Sequence, residues 1–501
     1  MKASFYVLDI FSNTNVLFLP RDIARDLGLS EEDKVVVRCN GKSVVCVVNI
    51  TNFDKIYVSK NVVQELNVKN HFKGTLNVLE KPLAMTYIRK KLDGYTLNAK
   101  EIDEVIRAIV CDEVGSVEKT FFIAGSYFYG LSDQEIVDMI KSIVKYGKKI
   151  SFNGIVVDKH CAGGVPGNRT TMIVVPIVAA LNLKIPKTSS RSITSPAGTA
   201  DVMEVLCKVD FDVDTVKEIV KKTSGCIVWG GGVNLAPADD KLIKIRQVLN
   251  LDPKGLLLVS ILAKKYAVGS KYVLIDLPVG KGAKFTYEEG LDLANYFIKI
   301  GKMLNLNIKV VLSDGTQPIG NGIGPALEAI DVLKVLRQEK DLPKDLEQKA
   351  LDLAGILLDM IGIRKYNRSG RELAEFILKS GMAYQKMKEI IQVQQGNIFE
   401  PKQIENRLGR FRYVFKSPRK GIIKSIDNRK LSELCKIVGN PFDKFAGIYL
   451  FKHVSDQVKE NEPILQIYSS SEEKLKNAIN RLKFYQEKKD FVIEIQYKNG
   501  S

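Results

Sequence analysis

The sequence predicts an α/β protein: a helical subdomain and a mainly parallel-sheet α/β domain, with a small β-rich N-terminal domain and an α+β C-terminal domain. Three observations predict it. From residue 155 onward, strand-like apolar runs alternate with helical segments, and each run ends in a Gly/Ser/Thr/Asp loop, the pattern of a parallel sheet with crossover helices. Between Thr86 and Lys149 apolar residues instead recur at three- and four-residue steps, the helical period. At 501 residues the chain also exceeds what one hydrophobic core organises, so several domains follow.

Residues 1–84 hold strand-like runs at 35–38, 43–48 and 55–58, a helical piece at 20–27 and a turn at 29–33. Nothing there suggests catalysis, so this β-rich module reads as an assembly or substrate-docking element; it resembles double-psi barrel N-terminal domains. Residues 85–150 with 238–268 form the helical subdomain. Ile88, Leu92, Ile102, Val105, Ile106 and Ile109 make one apolar face, and Ile136, Met139, Ile140 and Ile143 another. Asn98 and Ser132 stand as N-caps, with Glu101 and Glu135 at capping-box spacing.

Residues 151–237 and 269–415 form the α/β domain, with strands expected at 155–157, 184–185, 226–229, 272–277 and 308–312. Ligands are expected at the carboxyl ends of these strands. Residues 416–501 return to short strands at 421–426, 447–451 and 464–468, then a helix at 471–483 and a strand at 491–497.

Composition narrows the partners. The net charge of +17 favours an anionic partner, but lysines are spread among acidic residues without aromatic interleaving, which argues against nucleic acid. Seven scattered cysteines without a CxxC pair read as reduced thiols, and three histidines argue against a His-based metal cluster. No leader pattern opens the sequence, and no apolar run is long enough to span a bilayer, so a cytoplasmic protein without membrane contact is expected.

The chemistry concentrates in two loops. The first runs from Asp158 to Thr171, between a strand and a helix expected at 172–181. Gly163 and Gly164 allow a tight turn that aims several N–H groups at one spot, the helix N-terminus adds its dipole, and Lys159 and Arg169 add positive charge. That combination suits an oxyanion, most simply phosphate. The second reads Ser189-Ser190-Arg191-Ser192-Ile193-Thr194-Ser195-Pro196-Ala197-Gly198-Thr199. Its hydroxyls and its one guanidinium fork, with nothing else nearby that needs the fork, suit a second phosphate. Beyond it, Asp252 before Pro253 reads by itself as a turn residue, and Ser260 and Lys264 share a helix face.

These loops, together with Asn234-Leu235-Ala236-Pro237-Ala238-Asp239, Ser260-Ile261-Leu262-Ala263-Lys264-Lys265, Asp276-Leu277-Pro278-Val279-Gly280, Gln317-Pro318-Ile319-Gly320 and Ala326-Leu327-Glu328, resemble the thymidine/pyrimidine nucleoside phosphorylase family over residues 86–470. The N-terminal module and the hydroxyl-rich second loop resemble its archaeal AMP phosphorylase branch. The resemblance implies a pentosyltransferase that cleaves a nucleoside 5′-monophosphate (AMP, with CMP and UMP alongside) with inorganic phosphate. The products are the free base and ribose 1,5-bisphosphate, and no cofactor is needed. An ordinary pyrimidine nucleoside phosphorylase is the alternative; a non-catalytic nucleotide-binding scaffold is a third reading.

It further implies roles by position. Lys159, Gly163, Thr171 and Ser189 hold phosphate. Gly164, Ser190, Arg191, Ser192, Ile193, Thr194, Ser195, Thr199, Ser260 and Lys284 hold AMP. Arg246 and Lys264 lie on the base side, and Asp252 is the proton donor, a role that calls for burial or a neighbour that keeps it protonated. Cys161 stands where the family commonly has a phosphate-binding Ser, a weaker donor. Asn168-Arg169 replaces the family's Asp-Lys. A homodimer or larger homo-oligomer is also implied.

Overall fold

The computed structural model describes residues 1–12, 14–192, 195–249, 251–363 and 368–497. They divide into two units, one of residues 1–146 and 238–256, the other of residues 147–237 and 257–501.

In the first unit, six strands close a barrel in the order Lys2–Leu8, Ile56–Ser59, Val16–Pro20, Lys42–Thr51, Lys34–Cys39, His71–Val78. Period-2 alternation sends Phe5, Leu17, Leu19, Val35, Val37, Cys46 and Val58 into its core, and closure leaves no open sheet edge. The helices Ala84–Leu92, Ala99–Val110, Ser116–Phe128 and Asp133–Tyr146 follow. Both expected capping boxes are present: Asn98 accepts from Lys100 N and Glu101 N, while Ser132 and Glu135 cap each other's N–H groups. Glu135 also accepts from the buried Lys91 Nζ (2.9 Å), which ties the first helix of the bundle to the fourth.

In the second unit, Asn307–Asp314, Tyr272–Val279 and Val157–Cys161 pair in parallel in that order. Ile185–Ser189 and Gly225–Trp229 form a second parallel pair, and a parallel bridge between Val156 and Lys184 connects the two sets. The helix Thr170–Ala179 is buried along its whole length, and its side chains join those of Pro325–Arg337 and Lys344–Ile361 in the main core. Toward the C-terminus, an antiparallel sheet of Gly322–Ile323, Gly447–Leu450, Pro463–Ser469 and Phe411–Lys416 lies beside a smaller one of Gln457–Val458, Gly421–Ile426 and Ile493–Tyr497.

Two boundaries differ from expectation. The first strand covers Val157–Cys161 rather than 155–157, so Asp158 and Lys159 are strand residues. Charged residues survive in a buried strand because each has a partner: Asp158 accepts from Lys265 Nζ (2.7 Å) and Lys159 donates to threonine hydroxyls. The division between units falls within the helix Lys254–Ala267, so residues 257–268 go with the α/β unit. Its last turns are tied there by Lys265–Asp158 and by a hydrogen bond from Ile150 N to Ala267 O.

Candidate active site

The first loop is built around a fully buried lysine. Lys159 Nζ donates to Thr170 Oγ1 (2.7 Å) and Thr171 Oγ1 (3.2 Å), at the start of the buried helix. The carboxylate of Asp276, on the adjacent strand, lies 3.9 Å away. Asp276 is a hub: it accepts from Ser313 Oγ (2.6 Å) and Asn168 Nδ2 (3.3 Å) and pairs with Lys349 (3.3 Å). Burial pulls the Lys159 ammonium below its ordinary value, and Asp276 opposes that pull. Burial works against the Asp276 charge too, but Lys159, Lys349 and the two donors hold it below the usual carboxylate range.

Gly163 packs so tightly that a Cβ would sit 2.5 Å from Pro278 Cδ, whereas Gly164 takes a left-handed φ of 63° with open space around it. Cys161 accepts from Asn168 Nδ2 (3.2 Å); burial, then Asp276, push its thiol up to about 11, so it is present as the thiol.

Arg169 corrects the charge read from the sequence. Its Nε donates to the buried carboxylate of Glu328, and Nη2 donates to Ala197 O of the second loop. The guanidinium is therefore a strut between the loops, not a free cation. Arg191 needs the same correction. Its fork is taken: Nη1 and Nη2 donate to the two oxygens of Glu204 at 2.6 and 2.8 Å, and its plane lies over Trp229, 5.1 Å from the ring centroid.

Other second-loop groups are also turned inward. Ser192 Oγ donates to Ser195 O, and Ser195 Oγ to Ala197 O (2.9 Å). Ser192 N (2.6 Å) and Gly198 N (2.8 Å) both donate to Asp201. Ser190 is exposed and Thr199 half-buried at the start of the helix Thr199–Met203. Ile193 and Thr194 lie outside the described residues. Ser189, the last residue of its strand, has a buried hydroxyl with no partner among the described residues. A buried hydroxyl left unpaired is unfavourable, and a bound anion would satisfy it.

Ser260 and Lys264 share the helix Lys254–Ala267, both half-buried, and Lys284 is exposed in the turn after Tyr272–Val279, its Nζ 5.3 Å from the Phe285 ring centroid. Within the first unit, Arg246 is buried on the helix Pro237–Val248, with Asp239 3.4 Å and Asp252 3.3 Å away. The Asp252 side chain is 31% exposed.

The structure gives partners to residues to which the sequence reading assigned no role. Glu204, Glu328 and Lys349 serve the two loops. On the sheet, Asp158 pairs with Lys265 and, at 3.7 Å, with Lys187. Burial lowers the Lys187 ammonium, opposed by Asp158 and reinforced by Lys265. The available signal was charge inside apolar strand segments, which demands buried partners. Among the described residues no three His, Cys, Asp or Glu side chains group to hold a metal ion, and no helix is long and apolar enough to cross a membrane.

Comparison with known proteins defines the class. Residues 85–147 match the helical bundle domain of the Glycosyl transferase family, 153–384 match its a/b domain, and 422–487 match the Pyrimidine nucleoside phosphorylase C-terminal domain. The anthranilate phosphoribosyltransferase TrpD of Thermus thermophilus shares the fold over 62% of this chain and 99% of its own, with a TM-score of 0.52 and 18% identity. The protein is thus a pentosyl-transferring glycosyltransferase.

Full-length relatives refine this. AMP phosphorylases of Methanococcus vannielii (96% of this chain, 95% of theirs) and Thermococcus kodakarensis (96% of each) are both 41% identical to it. That of Methanocaldococcus jannaschii is also 41% identical, over 94% of each chain. The chain belongs to the AMP phosphorylase family.

Proposed function

We propose that this protein catalyses phosphorolysis of AMP: AMP plus inorganic phosphate gives adenine plus ribose 1,5-bisphosphate. The observation that carries it is the 41% identity to AMP phosphorylases across 96% of the chain. The two loops agree with it, for the buried lysine and two threonine hydroxyls of the first and the unpaired Ser189 hydroxyl at the start of the second suit an anion.

Cleavage of the glycosidic bond develops positive charge on the ribose. A phosphate held in place supplies the nucleophile without the entropic penalty of a free encounter, and its charge stabilises the cationic sugar. Lys159, Gly163, Thr171 and Ser189 hold this attacking phosphate. Gly164, residues 190–195, Thr199, Ser260 and Lys284 hold the nucleotide, with Arg191 reading its 5′-phosphate. Arg246 and Lys264 serve the base. Asp252 protonates the departing base, a contribution of roughly 10²- to 10⁴-fold to the rate. Asp252→Asn should keep AMP binding and lower kcat by at least about tenfold; unchanged turnover would remove Asp252 from the mechanism.

CMP and UMP are further substrates in this reading, and the enzyme works as a cytoplasmic homodimer or larger homo-oligomer. The reaction balances without a cofactor, so a chelator should leave its rate unchanged. The deciding experiment is a panel of nucleosides and their monophosphates, with and without phosphate. Phosphate-dependent release of adenine from AMP is expected. Cleavage of thymidine or uridine with none of AMP would instead favour a pyrimidine nucleoside phosphorylase, the enzyme named by the C-terminal domain match.

A further inference from the structure

The Arg191 fork that the proposed function aims at a 5′-phosphate is occupied in this structure by Glu204. Glu204 has a second cation. Lys444 Nζ, from the C-terminal domain, donates to Glu204 Oε2 at 2.5 Å, the oxygen that Arg191 Nη1 also uses. Lys444 is fixed from behind, because its carbonyl accepts from Ala326 N at the start of the helix Pro325–Arg337. That helix carries Glu328, the partner of Arg169, so one element braces both loops.

All three side chains keep some solvent access: Arg191 is 38% exposed, Lys444 30% and Glu204 24%. The cluster can therefore rearrange without opening the core. Two cations share one carboxylate, so either can leave while the other keeps Glu204 neutralised. The Arg191 hydrogen bonds, opposed by burial and supported by Lys444, hold Glu204 at about 2, so it remains an anion at every working pH.

We infer that Glu204 and Lys444 form a counter-ion relay that sets Arg191 for the nucleotide: Arg191 exchanges Glu204 for the 5′-phosphate while Lys444 keeps Glu204 paired. Glu204 and Lys444 are positioning residues and touch no substrate. Glu204 holds the arginine in place over Trp229 before the nucleotide arrives. Lys444 keeps that hold weak enough to release. The C-terminal domain thereby contributes to nucleotide recognition through a single side chain. The inference rests on the AMP reading of the site.

The test is steady-state kinetics of the full chain, with KM for AMP and for inorganic phosphate measured separately. In Lys444→Met, Glu204 lacks its second cation and competes harder for Arg191. KM for AMP should rise about three- to fivefold, the scale of one partly exposed charge pair, while kcat and KM for phosphate change less than about twofold. Lys444→Arg should restore it. In the double variant Glu204→Gln/Lys444→Met the carboxylate that grips the Arg191 fork is gone and only the more distant Asp201, 3.7 Å from Nη1, remains beside it, so KM for AMP should fall back toward the unsubstituted value, a rescue that simple structural damage would not give. The relay is overturned if Lys444→Met changes both KM values alike, or if adding Glu204→Gln worsens KM for AMP further. Failure of the unsubstituted enzyme to cleave AMP would instead sink the underlying functional reading, and the relay with it.

Discussion

The two loops carry similar residues, glycines, hydroxyls and one arginine each, yet they use the arginine oppositely. Arg169 is buried, is neutralised by Glu328, whose side chain is fully buried, and spends a further N–H on the neighbouring loop. Arg191 is partly exposed, and its carboxylate partner already holds another cation. The first arginine is held as scaffold; the second is the one proposed to exchange its partner. In the first loop the proposed source of charge for an anion is instead Lys159, inside the strand. Burial and the number of partners, not residue type, decide which arginine can meet a ligand.

The comparison breaks most visibly at Lys159. Lys159→Met removes the charge at the centre of the first loop and should lower kcat/KM about 10³-fold, the upper end for loss of one fixed donor. A loss below tenfold would mean that the phosphate is held elsewhere. Next come the two arginines. Arg169→Met strands the buried Glu328 and should reduce stability by about 3–5 kcal/mol, whereas Arg191→Met should change it by less than about 1 kcal/mol. Thermal unfolding of the two variants side by side checks this, and equal losses would erase the distinction between strut and reader.

The smallest effect is the response of the second loop to acid. Glu204 sits at about 2 in the folded protein against an ordinary 4.5. Its stabilising contribution is therefore full above about 4.5 and is lost as pH falls toward 2. The stability difference between the unsubstituted protein and Glu204→Gln should be present at pH 5 and vanish near pH 2. A difference that persisted at pH 2 would show that the pair does not carry it.

Much of the architecture was legible because it is local. The capping boxes at Asn98 and Ser132 follow from spacing alone, and the strands Gly225–Trp229 and Gly421–Ile426 from apolar runs between turn residues. The loops were legible as sequence too, since glycines and a strand-to-helix junction mark where N–H groups converge. What escaped was long-range pairing. Glu328 lies 159 residues from Arg169, and Lys444 lies 240 from Glu204, separations that no periodicity encodes. The same blindness made both arginines look free. Residues 158–161 were misjudged because charge usually marks a loop; here buried partners let charge stand in a strand.

The claim that the second loop reads the 5′-phosphate is tested most directly by one ratio: kcat/KM for AMP over kcat/KM for adenosine, before and after Arg191→Ala. The substitution should cut this ratio roughly 10²-fold, the value of a charge-assisted fork on phosphate. An unchanged ratio, with both substrates impaired equally, would contradict it.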